Sequence, residues 1–197
     1  MNFNQNSAFT PAVKHLLIIN GLSFLALNTP ALQNLLFFNF ALFPIESGMF
    51  RPWQLITYMF LHGGLFHIFF NMFALWIFGT AIESVWGTRT FALYYFAAGV
   101  GAAIIHMITT GSPVIGASGG VFAILLAFGV MFPNRRIYML LIPVGIPAKY
   151  FVIIYGVFEL MMGISNLQTG IAHFAHLGGM VVGFILIRLW KLPTDLE

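Results

Sequence analysis

The sequence predicts an all-α membrane protein, a six-transmembrane-helix bundle with a long, partly membrane-embedded first loop. Three observations carry this expectation. Of 197 residues, 60% are hydrophobic and only 7% are charged, with a mean hydropathy of +0.94, whereas an ordinary soluble domain carries about 25% charged residues. A run of about 20 apolar residues suffices to cross the hydrocarbon core. Six such segments can be marked, at 11–28, 63–84, 90–110, 117–132, 148–165 and 170–190. Finally, Lys14, Arg89, Arg135, Arg136, Lys149, Arg188 and Lys191 all fall on one side of a six-span arrangement, leaving Arg51 on the other. Basic residues favour the cytoplasmic side, so both termini are expected there. Adding or removing one span would scatter these charges over both faces.

The first span begins after a polar stretch, 1–10, that lacks the basic region of a removable signal, so the mature chain is expected to start near Met1. The connection 29–62 is the one long one. Phe37, Phe38, Phe40, Phe43, Phe50 and Trp53 make it too apolar for a solvated loop and predict an interfacial or re-entrant element. An aromatic belt at the membrane surface is the competing explanation for each ring taken singly. The remaining spans follow one another through short turns with no polar linker, which predicts a single membrane domain over 1–197. The absence of cysteine excludes a disulfide framework, a thiolate metal site and a cysteine nucleophile. A net charge of +3 carries little by itself.

Polar groups inside a span are costly and are functional candidates by default. With about 1.5 Å of rise per residue, Ser118 stands about 21 Å above Phe132, His176 about 18 Å above Arg188, and Asn71 about 18 Å above Glu83. In a core about 30 Å thick, three helices therefore hold polar side chains at one depth, about 10 Å below the external surface. His67, one turn further out than Asn71, lies just above them. A serine hydroxyl needs a neighbouring base, and imidazole suits that task near neutral pH. Attack on a carbonyl then creates an oxyanion that requires donors such as an amide, an imidazole N–H or backbone N–H groups. This layer contains every one of those parts.

Ser118 sits in Gly116-Ala117-Ser118-Gly119-Gly120 at the start of the fourth span, where glycines allow close backbone approach and free helix N-terminal amides. An N-cap in a turn is the competing role for this serine. His176 lies in a segment where Ala175, Gly179 and Gly183 recur every four residues, a smooth stripe that predicts close packing of another helix against it. His173 and His106 are expected to be structural histidines hydrogen-bonded within the bundle. A metal site begun by His62, His67 and Asn71 is the weaker alternative, because no His-Glu-x-x-His pairing exists. Glu159 stands alone near mid-membrane, either hydrogen-bonded in place or a proton relay of a transporter. Glu46 is in the long loop, Glu83 at the cytoplasmic end, and Asp195 and Glu197 in the tail. No carboxylate is thus expected to orient His176, and a Ser-His dyad is predicted rather than a triad.

Together these residues resemble the rhomboid intramembrane proteases. The similarity covers nearly the whole chain: six spans, the long first loop, His62-x4-His67-x3-Asn71 on the second span, the Ser118 pentapeptide opening the fourth, and Ala175-His176-Leu177-Gly178-Gly179 on the sixth. The resemblance implies that Ser118 is the nucleophile and His176 the general base. It also implies that His67, Asn71 and the Ser118 backbone N–H line the oxyanion hole, with Gly116, Gly119 and His62 supporting. Glu83 with Gly87 resembles a structural element of the family at the base of the second span. One departure is that Trp53 is followed by Gln54 where the family often has arginine, which bears on how the first loop is anchored. The implied activity is cleavage of transmembrane segments near their external end, with substrate access between the second and fifth spans. The expected setting is a bacterial plasma membrane, and the expected partners are the bilayer and transmembrane substrates, with no metal, cofactor or nucleic acid. The alternatives are an inactive rhomboid fold that captures membrane clients and, on Glu159 and the histidines, a transporter.

Overall fold

Proline opens the first two helices, in the first turn, where a missing N–H leaves no hydrogen bond unmade. These are α1 (Pro11–Leu27) and α2 (Pro30–Phe40) of a computed structural model that describes residues 9–139, 142–165, 171–194 and 196. The two helices meet at 119°. α2 has no buried residue and exposes Leu32, Leu35, Phe38 and Phe40. After α3 (Gln54–Thr57) and a 3-10 turn at Tyr58–Phe60 comes one rod, Leu65–Trp86. It consists of α4 (Leu65–Ala74), a π-helical turn at Leu75–Gly79 and α5 (Thr80–Trp86). There follow α6 (Thr88–Thr109), α7 (Ser118–Met131), α8 (Ala148–Ile164) and α9 (His173–Leu189).

By length and composition, Leu65–Trp86 and Thr88–Thr109 can each cross a membrane, and α1 with α2 make a third candidate if the bent pair is one span. α7 and α9 are shorter apolar helices. The fourth segment, expected at 117–132, is α7 at Ser118–Met131. Its 14 residues reach only about 21 Å at the usual rise, less than the about 30 Å of hydrocarbon. The physical reason is that α7 is the central helix, with buried residues on every face from Gly119 to Met131. A helix enclosed by protein on all sides does not have to match the thickness of the lipid. A difference from expectation follows it: Arg136–Met139 and Ile142–Pro147 form an antiparallel hairpin, β1–β2, in register Arg136↔Pro147, where no strand was expected.

The small-residue stripe of α9 sets the packing. A Cβ on Gly179 would overlap the carbonyl oxygen of Gly119, and one on Gly183 would lie 2.9 Å from the Ala123 Cβ. α7 and α9 therefore touch backbone to backbone over two successive turns. α6 closes on α9 in the same way, since a Cβ on Gly101 would come within 2.6 Å of Val182. α8 leans on this core through Ala148, Val152, Gly156, Glu159 and Gly163. A Cβ on Gly156 would meet Met180 at 3.2 Å, and one on Gly163 would meet Phe174 at 3.3 Å.

Two buried polar side chains lock the periphery. Glu83 accepts hydrogen bonds from Ala12 N (2.8 Å), Val13 N (2.9 Å), Thr88 Oγ1 (2.7 Å) and Thr10 Oγ1. An anion at free N–H groups in the first turn of α1 also meets the positive end of the helix dipole. Gln54 is fully buried. Its Oε1 accepts from Phe43 N (3.3 Å) and Arg51 N (3.1 Å), while Nε2 donates to Asn39 O (3.4 Å) and Met49 O (3.2 Å). An uncharged amide, both donor and acceptor, thus staples the first loop at the position where the family often has arginine. Trp53 Nε1 adds a bond to Asn39 O at 2.9 Å.

Candidate active site

Ser118 is the first residue of α7 and His176 lies in the first turn of α9. The Gly119–Gly179 contact is one residue beyond the serine and three beyond the histidine, so it brings the two helix starts alongside each other. The His176 imidazole stacks on Phe122 with 4.2 Å between centroids and 11° between planes. Phe122, one turn along α7 from Ser118, stacks in turn on Tyr155 of α8 at 5.3 Å and 10°. Ser118 is half-buried and His176 buried. Sequence reasoning did not single out Phe122, although its spacing of four residues from Ser118 puts it on the same helix face.

The opposite edge of His176 corrects an expectation. Glu159 Oε2 lies 3.0 Å from His176 Nδ1 and 2.6 Å from His173 Nδ1, all three residues being buried. A carboxylate is therefore positioned against this histidine, contrary to the expectation that none could be. The place of Glu159 along its helix was readable. Its direction was not, because that depends on which face of α8 turns toward α9. The signal that could have revealed it is the stripe Ala148, Val152, Gly156, Glu159 and Gly163, small residues three and four apart that include the acid. His173 is hydrogen-bonded across helices, as expected.

An ionised carboxylate only accepts, so with Glu159 ionised each Nδ1 beside it would carry hydrogen. His176 Nε2 is then left as an acceptor, the state required of a base. Among the described residues, Glu159, His173 and His176 are also a group of metal-type ligands, with ligand atoms within 4.8 Å of one another. Nitrogens donating to one shared oxygen have no lone pair left for an ion at those atoms, which favours a hydrogen-bonded cluster.

His67 approaches Ser118 from α4. A Cβ built on Gly116 would lie 2.6 Å from His67 Nε2 and 3.7 Å from Ser118 Oγ, so glycine at this position opens the space that imidazole and hydroxyl share. The φ of Gly116 is +129°, a conformation that side-chain-bearing residues rarely adopt. Its N–H is held by Tyr58 O at 2.9 Å. His67 Nδ1 accepts from Gly63 N at 3.4 Å, which leaves the proton on Nε2, facing the site. Asn71 is buried one turn along, with one amide hydrogen taken by His67 O at 2.9 Å and the other available. His62 packs edge-on against the His67 ring at 4.9 Å and accepts from Ala117 N through Nε2 at 3.4 Å. Burial, and secondarily the neighbouring His67, push the His62 imidazole down to about 3, so it stands neutral as that acceptor role requires. His106 Nε2 bonds Ser112 O at 3.0 Å, a structural contact.

The arrangement holds a hydroxyl, an imidazole with a free Nε2 and an imidazole with an Nε2 proton, all opening at a helix N-terminus. Acyl transfer uses this set of parts.

Comparison with known proteins gives a consistent result. Residues 49–191 match the family model described as Rhomboid domain. The chain is 34% identical over 142 residues to the rhomboid protease GluP of Bacillus subtilis, covering 72% of this chain and 26% of that protein. It is 30% identical over 139 residues to the mitochondrial RHOMBOID-like protein 6 of Arabidopsis thaliana, covering 69% and 43%. It is 28% identical over 204 residues to the mitochondrial presenilin-associated rhomboid-like protein of Mus musculus, covering 96% and 52%. The chain thus spans between about a quarter and about half the length of these relatives. One of the three is named a protease.

Proposed function

The chain belongs to the rhomboid family of membrane proteins, and on that premise we propose that it is an intramembrane serine endopeptidase. The observation that carries the proposal is the convergence at the α7–α9 contact. There the His176 ring, fixed by Phe122 on its face and Glu159 on its edge, lies beside the helix that Ser118 opens.

In this reading His176 Nε2 takes the Ser118 proton as Oγ attacks a peptide carbonyl. The oxyanion is met by His67 Nε2–H, the free Asn71 amide hydrogen and the Ser118 backbone N–H. His176 then returns the proton to the leaving amine, and water, activated by the same imidazole, hydrolyses the acyl-serine. The reading further comprises six spans in a single membrane domain, both termini on the cytoplasmic side, and a bacterial plasma membrane as the setting. The substrate is a transmembrane segment cut near its external end, where helix-breaking residues let the chain unwind and expose its amides.

The test is cleavage of a transmembrane reporter in liposomes by the full chain. Ser118→Ala and His176→Ala, made separately, each abolish cleavage under this proposal. Undiminished cleavage by either variant would contradict it. A properly folded chain with no cleavage at all would instead favour capture of membrane clients.

A further inference from the structure

We propose that Glu159 is a positioning residue for His176: its carboxylate holds the proton of that imidazole on Nδ1, so that Nε2 stays free to take the Ser118 proton, and His173 holds the carboxylate in place. This inference rests on the endopeptidase reading above.

The geometry carries it in three steps. First, an imidazole without a partner can bear its proton on either nitrogen, and only one of the two tautomers is a base toward Ser118. Among the described residues, the polar contact that decides between them is the 3.0 Å approach of Nδ1 to Glu159 Oε2. Second, a lone carboxylate in an apolar bundle is costly unless its lone pairs are satisfied. His173 supplies the second donor to the same oxygen at 2.6 Å. It is three residues from His176 on α9, so both imidazoles face α8. Its backbone is held close to α8 where a Cβ on Gly163 would meet the His173 Cβ at 3.4 Å. Third, the Phe122 ring against the face of His176 blocks rotation out of the plane, leaving the carboxylate to fix the ring's edge. When His176 becomes an imidazolium, the same carboxylate stands opposite the new charge. Glu159 touches neither serine nor substrate in this scheme and acts through His176 alone.

Two measurements on the full chain test it. In detergent, with 15N-labelled histidine, the wild-type His176 signals should show a protonated Nδ1 and a bare Nε2. A proton on Nε2 in the wild type would overturn the proposal, without any variant having to fold. In liposomes, Glu159→Gln should lower kcat on the transmembrane reporter at least about a hundredfold, a conservative figure for a wrongly set tautomer, with KM changed less than about threefold. His173→Gln, which keeps the carboxylate, should lose less than Glu159→Gln. Glu159→Gln at wild-type kcat would overturn the positioning role while Ser118→Ala remained inactive, so the endopeptidase reading would stand. Cleavage by Ser118→Ala would defeat that reading regardless of the tautomer.

Discussion

Two imidazoles near Ser118 are held in opposite protonation patterns by what their Nδ1 atoms touch. His176 Nδ1 donates a hydrogen bond to Glu159, and His67 Nδ1 accepts one from Gly63 N, so one ring offers a lone pair at Nε2 and the other a proton. Gly116 keeps the second ring close to the serine, because any side chain there would fill the space between them. Gly116→Ala should therefore be doubly unfavourable. Backbone strain at φ +129° costs about 1–3 kcal/mol, and the added methyl group would stand 2.6 Å from His67 Nε2, displacing it. We expect the rate of reporter cleavage to fall about tenfold or more, since each 1.4 kcal/mol is a decade. A variant with the wild-type rate would remove His67 from the site. Ser118, His176, His67 and Asn71 stood out in the sequence because each is a polar residue in an apolar run. Glu159 was visible but misjudged. Depth along a helix follows from residue number, whereas the direction of a side chain follows from packing between helices.

At the scale of elements, the α9 stripe shows what a sequence can reveal about packing. Ala175, Gly179 and Gly183 admitted one close partner, and α7 is that partner. The limits of α7 were readable to within one residue at each end, but not its enclosure, because a helix buried all round and one that spans lipid are equally apolar. The β1–β2 hairpin escaped notice for a related reason: its strands are short and follow the run of an apolar helix. One side chain joins four backbone groups of the first loop. Gln54→Ala would leave Phe43 N, Arg51 N and Met49 O without that partner, while Asn39 O would keep its bond from Trp53. At about 1 kcal/mol or more per buried group, we expect thermal unfolding in detergent to report a loss of about 2–4 kcal/mol. An unchanged unfolding temperature would mean that Trp53 and the Leu42–Val114 bridge hold the loop without it.

For the whole molecule, the helices form around a short central one. At the start of α7 its N-terminal amides and Ser118 lie beside the imidazoles carried by α4 and α9. The helices outside α7 carry exposed apolar residues, such as Phe66, Phe70, Ile153 and Ile154. The central claim is that folding activates this one serine. The most direct test is to treat the folded full chain with a fluorophosphonate probe and locate the adduct by mass spectrometry. The account predicts modification of Ser118 in the wild type and its loss in His176→Ala, with the other serines unmodified in both. Folded wild-type protein with Ser118 unmodified, or equal labelling of Ser118 without His176, would contradict it.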